Sequence, residues 1–407
     1  MKNLRVCLVL IALVLLISAC TKKDNLTGTN WSEIDAQSFN DISAVVGGFS
    51  FPPDTLVSIS SNSKCLPVGN WQGSSAKAII RFTGLPPQSV LDEYASITDA
   101  KMNLVVLRRD QAAVRNELNL KLYKVNRSFV VPDSLTAADY SYFADAVVPA
   151  TISSNDTIQV SLESAFIENW QAEADSTGLN ILILAEDGVE GFVELRLSST
   201  VEGSKLMFKY QESAEAEIKD FATYATKETY CFSHPSAEVL DNQWKLSNFS
   251  PQRMYVDIQP DSILFKDQYG HTLSPEDLKR VNINRADLVL FIDRDKPNLN
   301  NTFTYFVSAF LLKEKPETAG TIATTDMESI IFSYPLTSSA NNLADSLIVN
   351  ITPIVQAYTS GKKEPKGIVI MSNYERKDFG EMEFHHPETA PIGKIPYIRV
   401  KYTPPFL

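Results

Sequence analysis

The sequence predicts an all-β protein: two tandem jelly-roll-like antiparallel β-sandwiches with short helical turns. Three observations carry this. Apolar residues alternate with a period of two, helical patterns are short and local, and blocks of sequence recur in the same order about 190 residues apart. Many short strands with small helical turns between them pack as antiparallel sheets, face to face.

The first element stands apart from this pattern. Lys2 and Arg5 precede an unbroken apolar run, Val6–Ile17. A bilayer span takes ~20 such residues, so residues 1–19 read as a signal peptide and not as a transmembrane helix. The run ends in Leu16-Ile17-Ser18-Ala19-Cys20, and small residues just before a cysteine resemble the bacterial lipoprotein lipobox. The resemblance implies cleavage after Ala19, diacylglycerol on the Cys20 thiol and acylation of the new N-terminus. Such a chain set holds a protein stably at a membrane, since each buried methylene contributes ~0.8 kcal/mol. Thr21, where Asp is the alternative, resembles the enteric pattern for outer-membrane sorting. The expected location is the bacterial envelope, lipid-anchored, on the periplasmic or the surface face. Residues 20–45 then hold the lipidated Cys and a polar, aperiodic tether.

The body repeats itself. Phe49-Ser50-Phe51-Pro52 returns as Phe232-Ser233-His234-Pro235, and Ile97–Leu104 returns as Ile283–Leu290. Asp156–Leu162 returns as Asp345–Ile351, and Gly178–Ile183 as Gly367–Met371. Both copies close on a short strand, Lys205–Tyr210 and Tyr397–Tyr402. The collinear order gives two tandem repeats, 46–211 and 229–404, joined by an acidic linker, 212–228. Within them Ile158, Val160 and Leu162 alternate with Thr157, Gln159 and Ser161, the mark of a half-buried strand. Ala78–Phe82, Leu118–Tyr123 and Val193–Leu197 follow the same pattern. Ser274-Pro275 and Thr352-Pro353 read as helix N-caps with Pro at the first helical position.

A family pattern runs through each repeat. Repeat 1 has Ile80-Arg81-Phe82, a Leu-Pro step, an alternating strand from Ile97, Leu120-Lys121-Leu122-Tyr123-Lys124-Val125, a block ending in Trp170, Gly178–Ile183 and a last strand with Tyr210. It resembles the DNRLRE-type β-sandwich, a module related to the carbohydrate-binding modules of bacterial extracellular proteins. The naming hexapeptide is absent. Where the family reads Phe-x-Ser-Ser-Glu, this chain has Leu197-Ser198-Ser199 and Phe384-His385-His386-Pro387-Glu388. The resemblance implies polysaccharide as a ligand class.

Composition narrows the function further. A net charge of −12, more acidic still once Lys2 and Arg5 leave with the signal, argues against a nucleic-acid partner. No nucleophile elbow, zinc-protease motif, phosphate loop or Cys-x-x-Cys is present, so no enzyme, cofactor or metal site is expected. His385 and His386 are neighbours on a strand, and neighbouring side chains point to opposite faces, a poor chelate. Asp293–Asn301 fails the calcium-loop spacing and reads as a turn. Sugars stack on exposed aromatics, which makes Trp71, Trp244, Tyr140, Tyr142 and Phe143 the ligand-binding candidates. Arg108 and Arg109 head a locally basic run suited to an acidic polymer. Trp170 and Tyr358 follow the helical turns at matching places and are assigned to the core. Of four cysteines, Cys65 and Cys231 remain for the fold, either as one disulfide or as two buried thiols. The expected partners are a membrane through the lipid, and a polysaccharide or another envelope protein. The function is non-catalytic polysaccharide binding or, alternatively, a structural, adhesion or assembly role.

Overall fold

The computed structural model describes residues 44–52, 65–86, 97–110, 118–125, 140–149, 156–167, 178–186, 188–198, 203–213, 215–233, 238–258, 263–267, 269–295, 305–336, 345–362 and 366–405. The signal, Cys20 and the tether up to residue 43 lie outside these residues, as does Trp170. The protein is mostly β, in several antiparallel sheets. No helix among the described residues is long and apolar enough to cross a membrane.

Two short strands, β1 (Ala44–Val45) and β2 (Gly47–Phe51), come first. Then follow β3 (Cys65–Trp71), β4 (Ser74–Phe82), β5 (Thr98–Arg109), β6 (Asn119–Val125), β7 (Tyr140–Pro149) and β8 (Thr157–Ser161). Helix α1 (Ser164–Ile167) precedes β9 (Leu179–Ala185), β10 (Gly191–Arg196), β11 (Lys205–Tyr210) and the long β12 (Lys219–Ser233). Strands β3 to β12 bond into one sheet that curls on itself, in the order β12-β11-β5-β10-β3-β4 and from β4 back to β12. β12 makes this closure, because Lys219–Tyr224 pair with β11 and Ala225–Ser233 with β4. β9, β6 and β7 continue outward from β4. Inside lie Leu66, Ile80, Met102, Leu120, Val160 and Leu206, all without solvent contact.

The second half has β13 (Trp244–Ser247), β14 (Arg253–Asp257), α2 (Pro275–Leu278), β15 (Asn282–Phe291), β16 (Tyr305–Leu312) and β17 (Met327–Leu336). It ends with β18 (Ser346–Asn350), α3 (Thr352–Thr359), β19 (Ile368–Ser372), β20 (Glu381–Phe384) and β21 (Tyr397–Thr403). One layer runs β1-β21-β15-β18 and the other β17-β16-β19-β14-β2, with β13–β20 as a connecting ribbon. Val256, Leu288, Val307, Val349, Ile370 and Val400 form the core between them.

Strand by strand the halves correspond. β14, β15, β16, β18, β19 and β21 take the places of β4, β5, β6, β8, β9 and β11. The pairing corrects the boundaries expected from sequence. Most of the segment read as a linker is β12, a strand of the first sandwich. Residues 46–51, placed at the head of repeat 1, and residues 44–45, placed in the tether, belong to the second sandwich, where β1 pairs β21 and β2 pairs β14. Each repeat in sequence therefore begins with a strand that completes the sandwich of the other repeat. The first sandwich comprises residues 65–233, and the second 238–405 together with 44–51.

Local expectations fare variously. Ile158 and Val160 are buried while Gln159 and Ser161 face solvent, as the alternation requires. Ser274 caps α2, its hydroxyl accepting from Asp277 N at 3.2 Å. Thr352 does not cap α3. Its hydroxyl instead accepts from Ala286 N at 2.8 Å and ties the helix to β15. Tyr358 is half-buried and lies outside the core. Cys65 and Cys231 are two buried thiols not joined in a disulfide, the second of the two expected alternatives. Cys65 lies opposite Arg196 and Cys231 opposite Lys77, and the Cys65 thiol donates to Lys377 O at 3.3 Å.

Candidate functional site

Strand β10 supplies the first element. Val193 and Leu195 face the core, so Glu194 between them should face water. It is instead completely buried, because the β19–β20 loop of the second sandwich, residues 373–380, lies over it. Glu194 Oε1 accepts the Phe379 backbone N–H at 2.8 Å. Arg108, on the neighbouring strand β5, grips the same carboxylate twice, Nε to Oε2 at 3.1 Å and Nη2 to Oε1 at 2.7 Å. A planar guanidinium fits a carboxylate in this forked way. Its central carbon lies over the Phe192 ring, 4.8 Å from the ring centre.

Asp378 enters from the opposite side. Its Oδ1 accepts from Asn248 Nδ2 at 2.5 Å and from Gly380 N at 2.8 Å, and its Oδ2 accepts from Tyr305 Oη at 2.6 Å. Gly380 is required there, since a Cβ would come within 2.7 Å of both Asn248 Nδ2 and Asp378 Oδ1. Burial, and next the charge of Glu194, push the Asp378 carboxyl up to about 6. Burial also lifts the Tyr305 hydroxyl well above its ordinary range, helped by Asp378 and Glu194. For Arg108 burial is the largest single influence and opposes the charge, but Glu194, Tyr305 and Asp378 together outweigh it and the net direction is upward.

Between these two acids Phe379 crosses into the first sandwich. It stacks on Phe192 at 4.4 Å and meets Phe232 edge-on at 5.3 Å, so it is part of the first sandwich's core. The loop is held at its base by Arg253, whose Nε and Nη2 donate to Glu375 at 2.8 and 2.9 Å. At the rim Lys245 pairs with Glu381 at 2.7 Å and donates to Gln72 at 3.2 Å. The space left beside Asn248, Tyr305 and Gly380 is about 10 Å³, too small for a ligand. This cluster is a joint between the sandwiches, with its polar groups turned on one another.

The ligand candidates land as follows. Trp71 is half-buried and meets Phe192 edge-on at 5.4 Å, so it and Arg108 are brought together, but inside the joint. Arg108 is committed to Glu194 and cannot face an acidic polymer; Arg109 is half-buried beside it on β5. Trp244 is buried under the N-terminal strand, 5.5 Å edge-on from His386, which removes it as a sugar platform. Tyr140, Tyr142 and Phe143 lie on β7, where Tyr140 and Tyr142 pair with Val125 and Tyr123; their side chains lie outside the described residues. His386 is also buried. Its Nδ1 accepts from Glu388 N at 3.3 Å, which leaves Nε2–H to donate to Gly48 O at 3.4 Å. Among the described residues no group of three or more His, Cys, Asp or Glu is placed to hold a metal.

Sequence pattern missed Asp378, Phe379, Glu194 and Tyr305. One signal was available: repeat 2 carries Asn373–Gly380 where repeat 1 has the shorter Glu186–Glu190. It also missed an open cleft in the second sandwich, about 640 Å³, between β16, the start of β17 and α3. Leu311, Leu312, Ile354 and Ala357 line it, and Lys313, Lys362, Lys366 and Glu328 edge it. The ammonium groups of Lys366 and Lys313 donate to the carbonyls of Lys313 and Thr325 and so pin the rim. Its size falls within the range of small-ligand sites. No protein-family model and no curated protein matches the chain.

Proposed function

We propose that the chain is a non-catalytic lipoprotein of the bacterial envelope, anchored through Cys20, whose body is a rigid structural subunit that docks another envelope protein. The observation that supports this most is the joint. Phe379 completes the core of the first sandwich while Glu194, gripped by Arg108, accepts the Phe379 backbone N–H of the same loop. A satisfied, buried network of this kind fixes one relative orientation. It suits a spacer or assembly element, and of the candidate sugar platforms Trp244 is buried and Trp71 is half-buried against Phe192.

The test is to express the full chain in a bacterial host with a labelled fatty acid, then crosslink and pull down. The expected result is label on the chain, lost in Cys20→Ser, and one stable protein partner at stoichiometric yield. Labelled chain with no stoichiometric partner counts against docking, and an unlabelled chain counts against anchoring.

The polysaccharide reading, with the DNRLRE-type resemblance behind it, keeps one supporting feature, the lysine-edged cleft. Three lysines against one glutamate favour an acidic polymer over a neutral one. Affinity gels cast with a uronate polymer should retard the protein, and Lys362→Glu should abolish the retardation.

A further inference from the structure

The strand that closes the second sandwich is the N-terminal end of the described chain. β1 and β2 pair only with β21, β14 and Leu240 among the described residues, and with no strand of the sandwich that follows them directly in sequence. The seat is built to fit. A Cβ at Gly48 would lie 2.1 Å from Tyr255 O and 3.2 Å from the Trp244 ring, so this residue must be glycine, and its φ of +150° agrees. Ser50 exchanges backbone hydrogen bonds with Leu240 at 3.0 and 2.8 Å, and its hydroxyl accepts from Lys245 N at 2.8 Å. Val46 enters the core and Phe51 is fully buried.

We infer that residues 44–51 are a transferable strand, and that the seat on the second sandwich takes the same segment from a second copy of this chain, giving a strand-exchanged dimer. Exchange preserves each contact above, because donor and acceptor are identical in the two copies. Residues 53–64 connect the strand to the first sandwich, and twelve residues reach at most ~40 Å when extended. Re-routing that one connection suffices. In the first sandwich the same place is filled by β12, the hairpin partner of β11, whose local connection disfavours exchange. The inference is independent of the anchoring and docking proposals.

The test uses the full mature chain in single and double variants at the facing pair Gly47 and Asp257. Nothing lies within 4 Å of a Cβ built at Gly47. G47C/D257C should oxidise to a crosslinked monomer, reporting the seated strand. G47C and D257C chains mixed, unfolded, refolded together and oxidised should give covalent dimer at least tenfold above either alone. Crosslinking within the double variant but none between mixed chains overturns the exchange; absence of both overturns the seating itself. As a second measurement, deletion of six residues from 53–64 should move the chain from monomer to dimer in sedimentation. A shortened chain that stays monomeric also overturns the inference.

Discussion

The two sandwiches reach the same strand order by opposite routes. The first is closed by β12, whose pairs with β11 lie within about 20 residues of each other in sequence. The second is closed by β1 and β2, and Val45 meets Tyr397 about 350 residues away. One 15-residue strand bridges both layers of the first. In the second the same span is two short strands, with Val46 turned into the core between them. Equal architecture thus conceals unequal autonomy: the first sandwich carries its own closure, while the second depends on a segment made long before the rest of it. The dependence runs the other way at the joint, where the first sandwich takes Phe379 from the second.

The sharpest way to break this comparison is Gly48→Val. Its side chain collides with Tyr255 O and Trp244, so a loss above about 4 kcal/mol is expected, confined to the second sandwich. Hydrogen exchange should show lost protection in β14 and β21 with β4 and β11 retained; uniform loss would mean the two sandwiches unfold as one. Next comes Phe379→Ala, which empties a site in the first core by a change in the second. A cost of about 3–5 kcal/mol in urea unfolding is expected, together with separation of the two melting transitions.

The pH response probes the joint itself. The Asp378 carboxyl is raised from 3.8 to about 6, so the folded state holds its proton more tightly than the unfolded chain. That contribution is fully present below about pH 4 and is lost as pH rises through 6. Stability should therefore fall between pH 4 and pH 7 from this group, and Asp378→Asn should flatten that part of the profile. A melting series at constant ionic strength reads both. The smallest effect is Ser274→Ala, which removes the cap of α2 at an expected cost of about 1 kcal/mol, within the second sandwich alone. Thiol labelling gives a control on compactness: Cys65 and Cys231 should react only after the first sandwich opens.

Much of the fold was legible because burial writes itself as alternation. Thr157–Ser161 is wet on one face, and its sequence says so. Val193–Leu197 looked the same, yet Glu194 on its outer face is covered. A period of two reports which residues share a face and is silent on what a distant segment lays over that face. The repeats were legible as matching blocks, including Phe49–Pro52 against Phe232–Pro235, but their phase was not. Whether a strand opens one sandwich or closes another is decided by pairing across hundreds of residues, and β2 carries no mark of its partner β14. Trp71, Trp244 and Arg108 show the same limit in the site. Their residue types suit sugar binding, and only tertiary packing commits them to the interior.

The seating of residues 44–51 also sets how the protein bears load. A pull applied from the N-terminal side of Ala44 does not reach the first sandwich first, although that sandwich comes next in the chain. It is received by the hydrogen bonds of β1 with β21 and of β2 with β14. The second sandwich is therefore the mechanical fuse of the molecule. Under tension its closing strand peels away before any strand of the first is strained, and the first sandwich keeps its own closure through β12.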